Sequence, residues 1–75
     1  MAEVRARVVR AIEGLGEQER VVITFYYYEG LTLREIGRVL DLTEGRISQI
    51  LHSALVRLKH NLAEESRLSE RIQER

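Results

Sequence analysis

Two helix-start signals stand eleven residues apart, at Thr32 and Thr43, and they restrict the fold of this chain more than any other feature. Thr32-Leu33-Arg34-Glu35 is a capping box, in which the Thr side chain accepts from the third helical N–H and the Glu side chain returns to the cap's own N–H. The helix it opens reaches about Leu40, and Thr43 caps the next one. Only Asp41-Leu42 is left for the connection, so the two helices must meet at a tight turn. Gly37 supplies the small residue such a crossing requires. Ile47, ten positions later, supplies the branched apolar side chain that pins the second helix to the first. Ile36, Val39, Leu40, Leu42 and Ile50 are expected to complete the small core. This is the pattern of a helix-turn-helix.

The rest of the chain reads as helix around that unit. The first helix is expected from Ala2 to Glu13, with Val4, Val8, Ala11, Ile12 and Leu15 forming an apolar stripe at spacings of three and four. Gly14 and Gly16 end it. A second helix is expected from Glu17 to Tyr28, with Glu17 and Glu19 in the first turn, where the helix dipole favours anions. Val22, Phe25 and Tyr26 are its inner stripe. Tyr26, Tyr27 and Tyr28 cannot all face inward, because successive helical residues turn by about 100°. A strand over Val21–Tyr28 is compatible with propensity, but nothing else in the chain could pair with it. The helix capped by Thr43 carries Ile47, Ile50, Leu51, Ala54, Leu55, Leu58 and Leu62 on one face. The expectation is an all-α, four-helix domain over residues 1–62 with a C-terminal helix-turn-helix. Residues 63–75 are expected as a helical extension or a disordered tail.

Seventy-five residues make one small domain, whose core gives marginal stability alone. Without Cys there is no disulfide framework or thiolate site, which fits a reducing cytoplasm. No apolar run approaches the roughly 20 residues of a membrane span, and no signal peptide is visible. Twelve basic and twelve acidic residues cancel. Residues 32–62 nevertheless carry five basic residues (Arg34, Arg38, Arg46, Arg57, Lys59) against three acids (Glu35, Asp41, Glu44). The mild positive excess coincides with the helix-turn-helix.

In such a unit the second helix lies in the major groove with its N-terminal residues at the base edges. Its outward side carries Gly45, Arg46, Ser48, Gln49 and Ser53. Arg is the usual partner of guanine and Gln of adenine. The helix N-terminus at Thr43 can meet a phosphate.

The run Gly30-Leu31-Thr32-Leu33-Arg34-Glu35-Ile36-Gly37, followed by Thr43-Glu44-Gly45-Arg46-Ile47-Ser48-Gln49-Ile50, resembles region 4 of sigma-70 family factors. Tyr26-Tyr27-Tyr28-Glu29-Gly30-Leu31-Thr32-Leu33 with Ser48-Gln49-Ile50 is most similar to the flagellar and sporulation branch. The resemblance covers roughly residues 15–62. It implies binding to core RNA polymerase, through the β-flap, and to the minus-35 promoter element. Its base- and phosphate-contacting positions fall on Glu44, Gly45, Arg46, Ser48, Gln49 and Ser53, and a backbone-contacting position on Arg34. It also implies control by an anti-sigma factor that masks the domain. Four positions depart from the family pattern. Gly16 stands where Pro often opens the second helix, and Asp41 where many such turns have Gly. Gly45 offers no side chain where a base is often read. Val56 is apolar where a basic residue is common.

Two rival readings remain open. The output domain of a quorum-sensing or response-regulator activator shares the Gly-Leu-Thr-x-x-Glu-Ile lead and the spacing to Ile47, but usually has Asn-His or similar at Gln49-Ile50. A module that mainly binds an anti-sigma protein would suit the neutral charge and the apolar margin residues Leu51 and Val56. No cofactor or metal is expected: His52 and His60 are eight apart, where a zinc pair on a helix wants four. Glu64-Glu65 reads as a solvated face, Arg34 and Arg38 equally as solvated or phosphate-bound, and the tyrosines as core and rim. No nucleophile–base constellation can be assembled, so no enzymatic activity is expected.

Overall fold

Both capping signals start the helices they predict. In a computed structural model, which describes residues 2–73 and the side chains of residues 4–65 and Arg67, α1 spans Ala2–Glu13, α2 Glu17–Ile23, α3 Leu33–Leu40 and α4 Glu44–Gln73. Thr32 Oγ1 accepts from the Glu35 N–H at 3.1 Å, and Glu35 Oε1 accepts from the Thr32 N–H at 2.9 Å. Thr43 Oγ1 accepts from the Arg46 N–H at 3.1 Å. Among the described residues there is no strand. No helix there is long and apolar enough to cross a membrane.

α4 is the common partner of the other three helices. Its 30 residues, at about 1.5 Å of rise each, account for most of the 49 Å long axis. The helix continues without a break past Leu62 to Gln73. Leu15, Val22, Ile23, Ile36, Ile47, Ile50, Leu51 and Ala54 form the buried core, with Phe25, Tyr26, Leu31, Leu33, Leu40, Leu42 and Leu58 packed against it. Ile36, Ile47 and Val22 are the largest fully buried side chains. Each such burial stabilises by about 1.5–3 kcal/mol, more than a single helix cap supplies, so packing on α4 decides the fold and the caps set where the helices begin.

Several expected positions differ. The second helix does not stay α-helical to Tyr28: Thr24–Tyr28 form a π-helical turn, with the Glu29 N–H bonded to the Thr24 carbonyl at 3.0 Å. The Thr24 hydroxyl donates to the Arg20 carbonyl at 2.8 Å, a back-bond that commonly bends helices. The turn leaves Phe25 and Tyr26 half-buried, while Tyr27 and Tyr28 are exposed. Gly30, at φ 74°, then reverses the chain.

Val39 is not in the core but 60 % exposed, because α3 turns Ile36 and Leu40 toward α4 and Val39 away from it. Leu51 is no margin residue; it is buried in the core. Leu55, placed on the inner stripe by its spacing, is exposed on the rim. Val4 and Val8 are also exposed, and Ala11 and Leu15 carry the buried part of the first stripe. Val4 and Val8 border an open hollow with Arg7 and Leu62.

Candidate nucleic-acid interface

The start of α4 is held by a backbone contact that only glycine permits. A Cβ at Gly37 would lie 2.6 Å from the Leu42 carbonyl oxygen. The Leu42 N–H donates to the Gly37 carbonyl at 2.8 Å. Gly37 thus closes the turn against the backbone of Leu42 itself. Asp41 ends α3 at φ 58°, the left-handed conformation that Gly often supplies and that Asp adopts with less cost than most residues. Its departure from the pattern therefore preserves the turn.

Ile47, Ile50, Leu51 and Ala54 are buried on one side of α4. At about 100° per residue, the opposite side is centred on Gly45, Gln49, His52 and Val56. Ser48 lies to one flank of that line; Arg46, Ser53 and Arg57 lie to the other. Glu44, Gly45, Arg46, Ser48, Gln49 and Ser53 are all exposed. Beyond its chain neighbours and its own helix backbone, no atom lies within 4 Å of a Cβ built on Gly45, so this position presents bare backbone with free space in front of it.

These residues do not form one cluster. Arg46, Gln49 and Ser53 share a shallow hollow with Gln18, Glu19 and Arg57. Arg34 borders a second hollow with Glu44, Thr32, Leu31 and Tyr26. Arg34 is exposed on α3 and borders the same hollow as Glu44 at the start of α4. The Thr43 hydroxyl is occupied by the Arg46 N–H, so it acts first as the cap of α4. Among the described residues neither Arg34 nor Arg46 has an ion pair.

Sequence reasoning missed the polar tie across this face. Glu19 Oε1 accepts from the Gly16 N–H and from Arg57 Nη1, each at 3.0 Å, and Glu19 Oε2 accepts from the Ser53 hydroxyl at 3.0 Å. Burial works against ionisation of this carboxyl, but the Gly16 N–H, the Ser53 hydroxyl and the Arg57 guanidinium outweigh it and hold its pKa below the ordinary value. Glu19 was legible as a first-turn acid; its distant partners Ser53 and Arg57, 34 and 38 residues away, left no local signal. Asn61 was missed too. Its Nδ2 donates to the Ala11 carbonyl at 2.9 Å and joins α4 to α1. His52, set aside as a metal ligand, lies exposed in the centre of the outward face. Among the described residues no group of three or more His, Cys, Asp or Glu is placed to hold a metal.

The family model for sigma-70, region 4 matches residues 11–60, from the last turn of α1 through most of the packed part of α4. The chain belongs to the sigma-70 region 4 family. It is 48% identical over 62 residues to RNA polymerase sigma factor FliA of Yersinia enterocolitica, an alignment covering 83% of this chain and 27% of that protein. It is 48% identical over 61 residues to RNA polymerase sigma factor FliA of Escherichia coli K12, covering 81% and 26%. It is 48% identical over 60 residues to the RNA polymerase sigma-D factor of Bacillus subtilis strain 168, covering 80% and 24%. These similarities place this region 4 domain in the FliA branch. The chain spans about a quarter of the length of these relatives. The helix-turn-helix and the Glu19–Ser53–Arg57 tie both fall inside the matched residues, whereas Asn61 lies just beyond them.

Proposed function

We propose that this region 4 domain recognises the minus-35 element of promoter DNA and takes part in transcription initiation within an RNA polymerase holoenzyme. The observation that carries the reading is the exposed Arg46–Gln49 face on a helix fixed by Ile47, Ile50 and the Gly37–Leu42 contact. A rigid helix of this kind can enter the major groove and present both side chains to base edges. Glu44, Gly45, Ser48 and Ser53 form the remainder of the DNA-facing surface, and Arg34 and Thr43 meet phosphates beside it. The domain acts by binding, with no catalytic step and no cofactor, in the cytoplasm. Its protein partner is core RNA polymerase, engaged at the β-flap. In the test, the full-length factor is assembled with core enzyme and its footprint on promoter DNA is compared with that of an Arg46→Ala, Gln49→Ala double variant. Protection over the minus-35 element that the double variant loses supports the reading; equal protection overturns it.

A second role in the same domain is binding to an anti-sigma factor. The supporting observation is Val56, which is 56 % exposed in the centre of the outward face of α4, where a DNA-only surface would carry a cation. A partner that covers this valine would mask Gln49 at the same time. Its binding is expected to persist at salt concentrations that abolish DNA binding, because phosphate contacts weaken steeply with salt and apolar burial does not. A partner affinity that collapses in parallel with DNA affinity would contradict this role.

A further inference from the structure

The polar tie between α2 and α4 lies on the flank of the surface that the proposed function assigns to DNA. Arg46, Gln49, Ser53 and Arg57 line one hollow, and the carboxylate of Glu19 sits in it. Arg57 is largely exposed, so its guanidinium has room for an outside ligand. Its Nη1 is nevertheless taken by Glu19 Oε1 at 3.0 Å. The other carboxylate oxygen takes the Ser53 hydroxyl at 3.0 Å. A carboxylate and a phosphate offer Arg the same acceptor geometry. The residues that Glu19 occupies are therefore those a DNA phosphate beside this flank would use.

We propose that Glu19 is an internal competitor for the DNA backbone: it occupies Arg57 and Ser53 and withholds one cation from sequence-independent binding. This rests on the DNA-binding reading above; of the three tied residues only Ser53 belongs to the contacts assigned there, and Glu19 and Arg57 do not. The physical consequence concerns net attraction. Each phosphate neutralised by a protein cation releases counterions and steepens the dependence of log affinity on log salt by about 0.9. A cation already paired inside the protein contributes little to that term. With twelve basic and twelve acidic residues in the chain, one withheld cation is a large share of the local positive excess. Non-specific attraction is thereby kept low, and binding depends more on the base-reading face.

Glu19→Gln separates charge from structure. The amide oxygen can still accept from the Gly16 N–H or the Ser53 hydroxyl, but it no longer neutralises Arg57. The experiment measures binding of the 75-residue chain to a labelled DNA duplex of unrelated sequence, by fluorescence anisotropy over a salt series. Glu19→Gln is expected to steepen the salt slope by about 0.9, which at low salt is roughly a tenfold gain in affinity. The double variant Glu19→Gln, Arg57→Gln is expected to return to the slope of the unmodified chain, because the pair is again neutral. Helical circular dichroism recorded on each variant checks that the fold is intact. If Glu19→Gln destabilises the domain, the series is repeated with Asp41→Gly present in every chain compared, the reference included, since the left-handed Asp41 is a site where Gly fits the backbone and the charge it removes then cancels. A Glu19→Gln slope equal to that of the unmodified chain, or a lower affinity with intact fold, overturns the inference alone. DNA binding by the unmodified chain that shows no salt dependence overturns the DNA-binding reading and the inference together.

Discussion

Gly37 and the Leu42 carbonyl meet backbone to backbone: a Cβ on Gly37 would stand 2.6 Å from the Leu42 oxygen. That distance is well below van der Waals contact, and the obstacle is main chain, which cannot rotate aside as a side-chain tip can. In an exposed helix, Gly→Ala gains up to about 1 kcal/mol. Here the sign reverses. Gly37→Ala is expected to destabilise by about 1–3 kcal/mol, the usual cost of forcing packed elements apart, and Gly37→Leu by more. Thermal melting followed at 222 nm reads this as a lower midpoint. An unchanged or raised midpoint for Gly37→Ala would contradict the close approach.

The start of α3 supplies a second prediction. Thr32→Ala removes the hydroxyl that accepts from the Glu35 N–H and is expected to cost about 1 kcal/mol. The reciprocal half of the box titrates. The Thr32 N–H and the Thr32 side chain hold the Glu35 carboxyl below its ordinary value of 4.5, with Arg38 assisting. A carboxyl whose folded pKa is depressed contributes stability that is fully present above its unfolded pKa and is lost as pH falls through the folded one. Glu19 has the same sign. The melting midpoint should therefore fall on acidification below about pH 4.5. Glu35→Gln should flatten part of that fall. An acid limb identical in the unmodified chain and in Glu35→Gln would contradict the assignment.

Asn61 gives a third. Its amide bonds the Ala11 carbonyl at 2.9 Å, and among the described side chains of α1 Ala11 alone is buried, with Leu15 just past its end. Asn61→Ala is expected to cost about 0.5–1.5 kcal/mol, concentrated in α1. Hydrogen exchange should show faster amide exchange over Ala2–Glu13, with the α3–α4 turn unaffected. Uniform acceleration across all helices would show that α1 is not held separately.

The helix-turn-helix was legible because its determinants are local. Thr32, Glu35 and Thr43 act within one turn of themselves, and Gly37 and Ile47 stand at a fixed spacing. Amphipathic stripes were less reliable at their margins. A period of 3.6 places Val39, Leu55, Val4 and Val8 on inward faces, but all four are exposed, because the covered arc of each helix is narrower than the apolar stripe. Leu51 is buried as its place on the inner stripe of α4 requires, and only its second reading, as an apolar margin residue for a partner, does not hold. The π-helical turn had no readable signal beyond three consecutive tyrosines that one helix face could not hold. The tie of Glu19 to Ser53 and Arg57 depends on where two helices come to lie, and spacing along the chain carries nothing about it.

In the proposed function α4 reads bases through the face that carries Gln49, while Arg34 on α3 holds the DNA backbone. The two residues border different hollows, so their substitution should have separable effects. The direct measurement is binding of the full-length factor, assembled with core polymerase, to matched and mismatched promoters over a salt series. Gln49→Ala is expected to lose roughly 1–3 kcal/mol of discrimination between the two promoters, with the salt slope unchanged. Arg34→Ala is expected to weaken both promoters alike and to flatten the slope by about one. If Gln49→Ala instead weakens both promoters equally, or leaves both unchanged, α4 does not read bases through this face and the account fails.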